Sequence, residues 1–289
     1  MRGGTGGRRR SSRSCLLDGR ARGMQTPMRV RVANVVFDAP GATLDLYAKS
    51  AGGIAAMYSE LLGMHRRSRA DVYREANYPA DEGDEVDPLV TSNDPSHPGI
   101  AFECETGEYR APAWPDPDRP QQVHLDVTVA GLDAAHDLVS RHGATLLRGG
   151  EANRVYADCV GHPFCLYESG ASTVGRIERV VFDCVSPRAL AVFYSALLDM
   201  PVRNVDDPER VEIARRDGRS VKLAFQHAVS PPPRWPDPAH PQQLHLDFDP
   251  DDPEAAARQA LQLGAIRLPY MGGGFVYADP AGHPFCLSE

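Results

Sequence analysis

Hydrophobic and polar residues along this chain follow two periods that alternate in a fixed order. The stretch VRVANVVFDA (30–39) has the two-residue period of a strand, with Val35 and Phe37 on one side and Asn34, Val36 and Asp38 on the other. RIERVVFDC (176–184) repeats it. A helical period follows each time, over 54–64 (IAAMYSELLGM) and 188–200 (RALAVFYSALLDM). Ala, Tyr and Leu at spacings of three and four give each segment a core-facing stripe. Two or three short strands come next, ending in GIAFEC (99–104) and VKLAFQ (221–226). The order then restarts with VHLDVTV (123–129) and LHLDFD (244–249). Helices are predicted over 132–142 and 253–263, strands over 144–148 and 265–268, and a last hairpin turns at Asp158 or Asp279. The Asp-x-x-Gly of that hairpin is ordinary turn chemistry, which places His162 and His283 in solvent-facing turns. Each half of the chain therefore reads β-α-β-β-β twice.

The halves are copies. WPDPDRPQQVHLDV begins at Trp114 and VYADCVGHPFCLYE ends at Glu168; WPDPAHPQQLHLDF begins at Trp235 and VYADPAGHPFCLSE ends at Glu289. His124 and His245 are separated by 245 − 124 = 121 residues, and the same offset relates Trp114 to Trp235, His162 to His283 and Cys165 to Cys286. A constant offset over so long a stretch marks a duplicated structural unit. The first copy is longer near its start, and part of the excess is the acidic PADEGDEVDP (79–88), read as a solvated loop.

Strand parity divides the chemistry. On the fifth strand of each half, Leu125, Val127 and Val129 share a face opposite His124, Asp126 and Thr128, as Leu244, Leu246 and Phe248 oppose His245, Asp247 and Asp249. On the last strand Phe164 and Leu166 join the apolar face and leave Cys165 and Tyr167 on the other; Phe285 and Leu287 leave Cys286 and Ser288. One face is suited to lie beneath helices, and the other is polar and ionisable.

At 289 residues the chain is long enough for two domains, expected over 28–169 and 174–289. Residues 1–27 hold seven Arg against one acid, with little to bury, and read as a disordered tail that leaves Met24 and Met28 open as alternative starts. The formal charge of −8 then leaves about −14 on the body (−8 − 6), which disfavours a nucleic-acid partner. No apolar run approaches the roughly 18 residues of a membrane span, so no membrane partner is expected. Six Cys with no C-x-x-C pair suggest reduced thiols in a cytoplasm.

HLD on the fifth strand and D-x-x-G-H-P-F-C-L on the last resemble the vicinal oxygen chelate superfamily, within it the glyoxalase-like, bleomycin-resistance-type domains. The resemblance covers about 30–168 and 176–289. It implies an α+β fold: four βαβββ modules forming two tandem glyoxalase-like domains, each a cupped, incompletely closed eight-stranded sheet with helices on the convex side. It also implies a small organic ligand in the concave side, often over a divalent metal. Family metal ligands come from the first, fourth, fifth and eighth strands. Those positions are Asn34 and Arg179 on the first, Glu103 and Gln226 on the fourth, His124 and His245 on the fifth, and Cys165 and Cys286 on the eighth.

Asn, Arg and Cys depart from the usual ligand types, so no metal is expected as a rule. His124, Glu103 and Cys165 are the set that would hold a divalent ion in the first domain, while the fixed charge of Arg179 argues against one in the second. His124 and His245 are candidate acid–base residues, each with an aspartate, Asp126 or Asp247, two residues on to orient it. Tyr167, Trp114 and Trp235 complete the candidate binding residues, the tryptophans as lids or as wedges of their Pro-rich loops. Three readings stay open: a metal-independent lyase or isomerase, a non-catalytic protein that sequesters an antibiotic or toxin, and a metal-dependent lyase or dioxygenase in the first domain. The tandem arrangement is expected to imitate a dimer within a monomeric chain.

Overall fold

The structure is a computed structural model, and it describes residues 28–289 except 76–78, 80–83, 86, 95, 106–108, 170–173, 230, 232, 236, 238–240, 270–274 and 289. The tail 1–27 and part of the acidic stretch 79–88 lie outside the described residues. The first module runs β1 (Val30–Pro40), α1 (Leu44–Leu62), β2 (His65–Ser68), α2 (Arg69–Glu75), β3 (Pro88–Thr91) and β4 (Gly99–Glu105). The second runs β5 (Val123–Val129), α3 (Leu132–Arg141), β6 (Thr145–Arg148), β7 (Asn153–Ala157) and β8 (Pro163–Glu168). The third is β9 (Arg176–Cys184), α4 (Pro187–Leu198), β10 (Val202–Asp206), β11 (Arg210–Ala214) and β12 (Lys222–His227). The fourth is β13 (Leu244–Pro250), α5 (Pro253–Gln262), β14 (Ile266–Arg267), β15 (Phe275–Ala278) and β16 (Pro284–Leu287).

Two elements differ from the sequence expectation. Helix α1 starts ten residues before position 54, because Thr43 in extended conformation accepts the Leu46 N–H on Oγ1 at 3.2 Å and so caps an earlier first turn. Helix α2 occupies part of the insertion, where the sequence pattern predicts short strands and a loop, with Asp71 in its first turn and Arg74 in its last.

The strands form two eight-stranded sheets, as expected, and neither closes into a barrel. The sheets do not follow the two halves of the chain. One is ordered β14-β15-β16-β13-β1-β4-β3-β2 and the other β10-β11-β12-β9-β5-β8-β7-β6. The first module shares a sheet with the fourth, and the second with the third. Each sheet is joined at its middle by an antiparallel pair, β1 with β13 (Asn34 opposite Asp247, Val36 opposite His245) and β9 with β5 (Arg179 opposite Asp126, Val181 opposite His124).

The helices lie between the sheets. Tyr58 of α1 is fully buried, with its ring 5.4 Å from Phe37 in one sheet and 5.9 Å from Phe164 in the other. Tyr194 of α4 reaches Phe182 at 5.3 Å and Phe248 at 6.2 Å in the same way. Each such aromatic pair adds about 0.5–1.5 kcal/mol beyond the area it buries. Side-chain packing thus holds each half-chain together, while backbone hydrogen bonds join the halves. The apolar parity face (Leu125, Val127, Phe164, Leu166, Leu246, Phe248, Phe285 and Leu287) is buried in this layer, and the polar faces look outward as two cups.

The final turns correct the sequence reading. His162 and His283 are each 2% exposed rather than solvent-facing. Their rings stand edge-on to Phe37 at 5.0 Å and Phe182 at 5.2 Å, sealing the seam between the sheets. Nε2 of His283 contacts the Asp183 carbonyl oxygen at 3.1 Å and Nε2 of His162 contacts the Tyr109 hydroxyl at 3.2 Å, so burial strands no polar atom. Among the described residues no helix is long and apolar enough to cross a membrane.

Candidate functional site

Because the sheets cross between halves, each cup takes its fifth-strand histidine from one half and its first- and fourth-strand residues from the other. The set His124, Glu103 and Cys165 is therefore not assembled: Glu103 lies in the sheet of His245. Asn34 likewise faces Asp247, with its Nδ2 donating to Oδ2 at 3.3 Å. Arg179 and Gln226 join His124 instead of His245.

The cup of the first and fourth modules encloses a cavity of about 430 Å³. Asn34, Glu103, Trp235, His245, Asp247 and Cys286 line it, together with Arg69 and Tyr73 of α2. The missed helix thus supplies one wall. His245 has a carboxylate near each side of its ring. Nε2 is 3.6 Å from Asp247 Oδ1, while Nδ1 is 3.9 Å from Glu103 Oε2 and has no hydrogen-bond partner although it is buried. Burial pushes this imidazole down, but the hydrogen bonds and charges of Asp247 and Cys286 outweigh it and hold its pKa well above the ordinary range. Asp38 is 3% exposed, and burial, joined by the nearby Glu103 and Glu105, pushes its carboxyl well above the usual carboxylate range against the pull of His245. Burial raises Asp247 too, yet His245, Asn34 and Arg69 leave it below its ordinary value.

Gln242 ties this group together. Its Nε2 donates to Asp38 Oδ1 at 2.9 Å and to Glu103 Oε2 at 3.1 Å. Gln121, its copy, donates to both oxygens of Asp183 at 3.3 and 3.1 Å in the other cup. The neighbouring glutamines clasp the two loops: Gln122 N–H donates to Gln243 Oε1 at 3.0 Å, and their Nε2 atoms donate to the carbonyl oxygens of Pro241 and Pro120, both at 2.8 Å. Sequence reasoning passed over all four, although the repeated Pro-Gln-Gln before each HLD was the available signal.

The cup of the second and third modules is filled by its own side chains. Asp126 is fully buried, and its Oδ2 takes Arg179 Nη1 at 3.4 Å and Arg210 Nη2 at 3.2 Å. Arg179 Nε also donates to Glu212, which lies 3.7 Å from Lys222 Nζ. Arg210 Nη1 donates to Gln226 Oε1 at 3.2 Å, and Gln226 Nε2 donates to Asp183 Oδ1 at 2.7 Å. Tyr167 lies 5.9 Å from the Arg179 guanidinium, and Arg148 stands 5.3 Å over Trp114. His124 is 5% exposed; burial lowers its pKa, and Asp126 with Cys165 overcomes that and lifts it to about 10.

Three groups of side chains bring ligand atoms within 4.8 Å of one another: His124, Asp126 and Cys165; His245, Asp247 and Cys286; and Asp38, Glu103 and His245. In the first, Asp126 Oδ2 is already paired with the two arginines. In the third, the unpartnered Nδ1 of His245 faces two carboxyl groups while Asp247 steadies the opposite side of the ring. One imidazole and two carboxylates form a donor set that a divalent ion accepts, and the carboxylate behind the ring is its usual support.

The family model for the glyoxalase-like domain matches residues 41–167 and 179–288. Among solved structures, glyoxalase I from Zea mays superposes with a TM-score of 0.55 at 14% identity, covering 90% of this chain and 92% of that chain. A point mutant of it gives a TM-score of 0.58 at 14% identity with the same coverage, 90% and 92%. A Bacillus subtilis protein whose dioxygenase name is provisional gives 0.54 at 10%, covering 89% of this chain and 84% of its own. At these identities the likeness is one of fold. No curated protein sequence matches the chain.

Proposed function

The chain belongs to the glyoxalase-like domain family, and on that premise we propose that it binds a small organic molecule in the cup of the first and fourth modules and exchanges protons with it. The observation that carries this reading is the contrast between the cups. One holds a cavity of about 430 Å³ lined by His245, Glu103 and Asp247, and in the other Arg179 and Arg210 reach across the cup to Asp126 Oδ2. The second cup is then a brace, and His124 a structural residue.

In the open cup, Glu103 is the base and His245 the group that positions and stabilises charge. Asp38, whose carboxyl burial pushes well above the usual carboxylate range, is the matching acid. Proton removal beside a polarised oxygen and its return nearby is the chemistry of a lyase or isomerase. Asp38, Glu103 and His245 would also hold a divalent metal, which supplies Lewis-acid polarisation of a ligand oxygen when bound. Free thiols at all five described cysteines suit the cytoplasm. The internal pairing of modules suits a monomer, for which light scattering should return 31.5 kDa.

Native mass spectrometry and elemental analysis of protein taken from its host test the assignment. A small molecule or ion retained by the chain and lost in His245→Ala, but kept in His124→Ala, supports it. Retention that depends on His124 instead would overturn it. Retention of an unaltered molecule with no product formed supports sequestration over catalysis.

A further inference from the structure

The filled cup shows what the open one lacks. The two correspond strand for strand. Asp126 occupies the place of Asp247, each opposite the first-strand position of its sheet: Arg179 in one, Asn34 in the other. Gln226 occupies the place of Glu103, opposite Asp183 and Asp38 respectively. Lys222 lies opposite Arg179 where Gly99 lies opposite Asn34. At Gly99 a Cβ would come within 2.5 Å of Asn34 Oδ1, so the small residue is what seats Asn34.

In the filled cup a guanidinium bridges the fifth and fourth strands: Arg210 spans Asp126 Oδ2 and Gln226 Oε1, both at 3.2 Å. In the open cup the corresponding acceptors persist as Asp247 and Glu103, with one amide replaced by a carboxyl. The cationic side chains are gone from two of those three places, Asn34 and Gly99 standing for Arg179 and Lys222. The third, Arg210, has no counterpart on β3, whose first residue is Pro88. Arg69 does line the open cup and its charge reaches Asp247, but its guanidinium is anchored elsewhere, on Asp87 at 2.5 Å and on the Phe102 carbonyl oxygen at 3.1 Å.

We infer that the open cup takes a small organic cation of the amidinium or guanidinium class, seated between Glu103 and Asp247 where Arg210 sits in the other cup. This rests on the reading of the open cup as the binding site. The buried Nδ1 of His245 lines the same cavity without a partner, and, unlike His124 Nδ1 in the other cup, it has a carboxylate, Glu103 Oε2, at 3.9 Å across that space. His245 does not obstruct a cation there, since His124 stands beside the same arrangement of Asp126 with two guanidinium groups. A planar amidinium matches a carboxylate with two parallel hydrogen bonds, which an ammonium cannot do.

Isothermal titration of metal-stripped full chain with benzamidine, benzamide and benzoate tests the charge with shape held constant. The expected result is one benzamidine per chain, benzamide and benzoate at least tenfold weaker, and at least tenfold loss in Glu103→Gln. That variant should fold, because the other cup carries glutamine at the same place. Asp133→Asn, on the exposed start of α3, should leave the affinity unchanged. Benzoate or benzamide binding as tightly, and weakening in Glu103→Gln, would show the cup to be the site and the ligand class to be wrong. Benzamidine binding untouched by Glu103→Gln, needing restored zinc or manganese, or absent at millimolar probe, also overturns the inference.

Discussion

Gln122 and Gln243, 121 positions apart and identical in the two copies, meet across the centre of the molecule, where the Gln122 N–H donates to Gln243 Oε1 at 3.0 Å. Gln243 Nε2 donates in turn to the Pro120 carbonyl at 2.8 Å, and Gln243 is 7% exposed. Gln243→Ala removes both partners and leaves a buried N–H and a carbonyl without hydrogen bonds. A loss of about 1–3 kcal/mol is expected, since stranded groups cost more than a bond gains. Urea unfolding of Gln122→Ala, Gln243→Ala and the double variant checks it. The two losses should combine to less than their sum, because either substitution loosens the same clasp.

The crossing of modules was the part of the fold that the sequence concealed, and the reason is the duplication itself. Alternation in VHLDVTV and LHLDFD specifies which face of each strand is buried, and the structure honours it at Leu125, Val127, Leu246 and Phe248. It does not specify whether β1 pairs with β5 or with its copy β13, because both present the same HLD edge. Placing Glu103 beside His124 followed from taking chain neighbours as sheet neighbours. Helix α2 was hidden for a different reason: RADVYRE carries few apolar residues, and Ala70 is the one it buries. The burial of His162 and His283 escaped because Asp-x-x-Gly describes backbone turns and says nothing about the aromatic seam that receives the ring.

Arg210 can be tested as the tenant of its cup. Arg210→Ala removes a guanidinium from Asp126, which remains buried beside Arg179. The variant should lose several degrees of thermal stability, because the buried Asp126 keeps only one of its two guanidinium partners. Guanidinium ion at a few millimolar, far below denaturing concentrations, should restore part of the loss in the variant and none in the parent. Restoration by sodium or urea at equal concentration would mean that the vacated place does not select a guanidinium.

Asp38 gives a pH signature with a definite sign. Its folded-state pKa is raised by burial, with Glu103 and Glu105 adding to the effect. The folded chain therefore holds that proton more tightly than the unfolded chain, whose aspartates titrate near about 3.9. The stability this contributes is present below that value and is lost as pH rises toward the raised one. Asp38→Asn keeps an acceptor for Gln242 Nε2 and has no charge to bury. It should melt about 2–4 °C higher than the parent at pH 7, roughly 1 kcal/mol for a chain of this size. The difference should fade toward pH 4. A difference that holds constant across this range would mean that Asp38 stays ionised in the fold.

The two tryptophans report on the two cups separately, and the chain has no others to confuse them. Trp235 lines the open cavity alongside Glu103 and His245, whereas Trp114 is capped by Arg148 at 5.3 Å. A ligand entering the open cup changes the surroundings of Trp235 and leaves the Arg148–Trp114 contact in place. Titration with benzamidine should therefore shift or quench emission in Trp114→Phe as it does in the parent. Trp235→Phe should still fold, because phenylalanine keeps an apolar ring in the loop, and its emission should stay flat. A signal that survives in Trp235→Phe and disappears in Trp114→Phe would move the binding event to the other cup, displacing Arg148 and overturning the assignment of that cup as a brace.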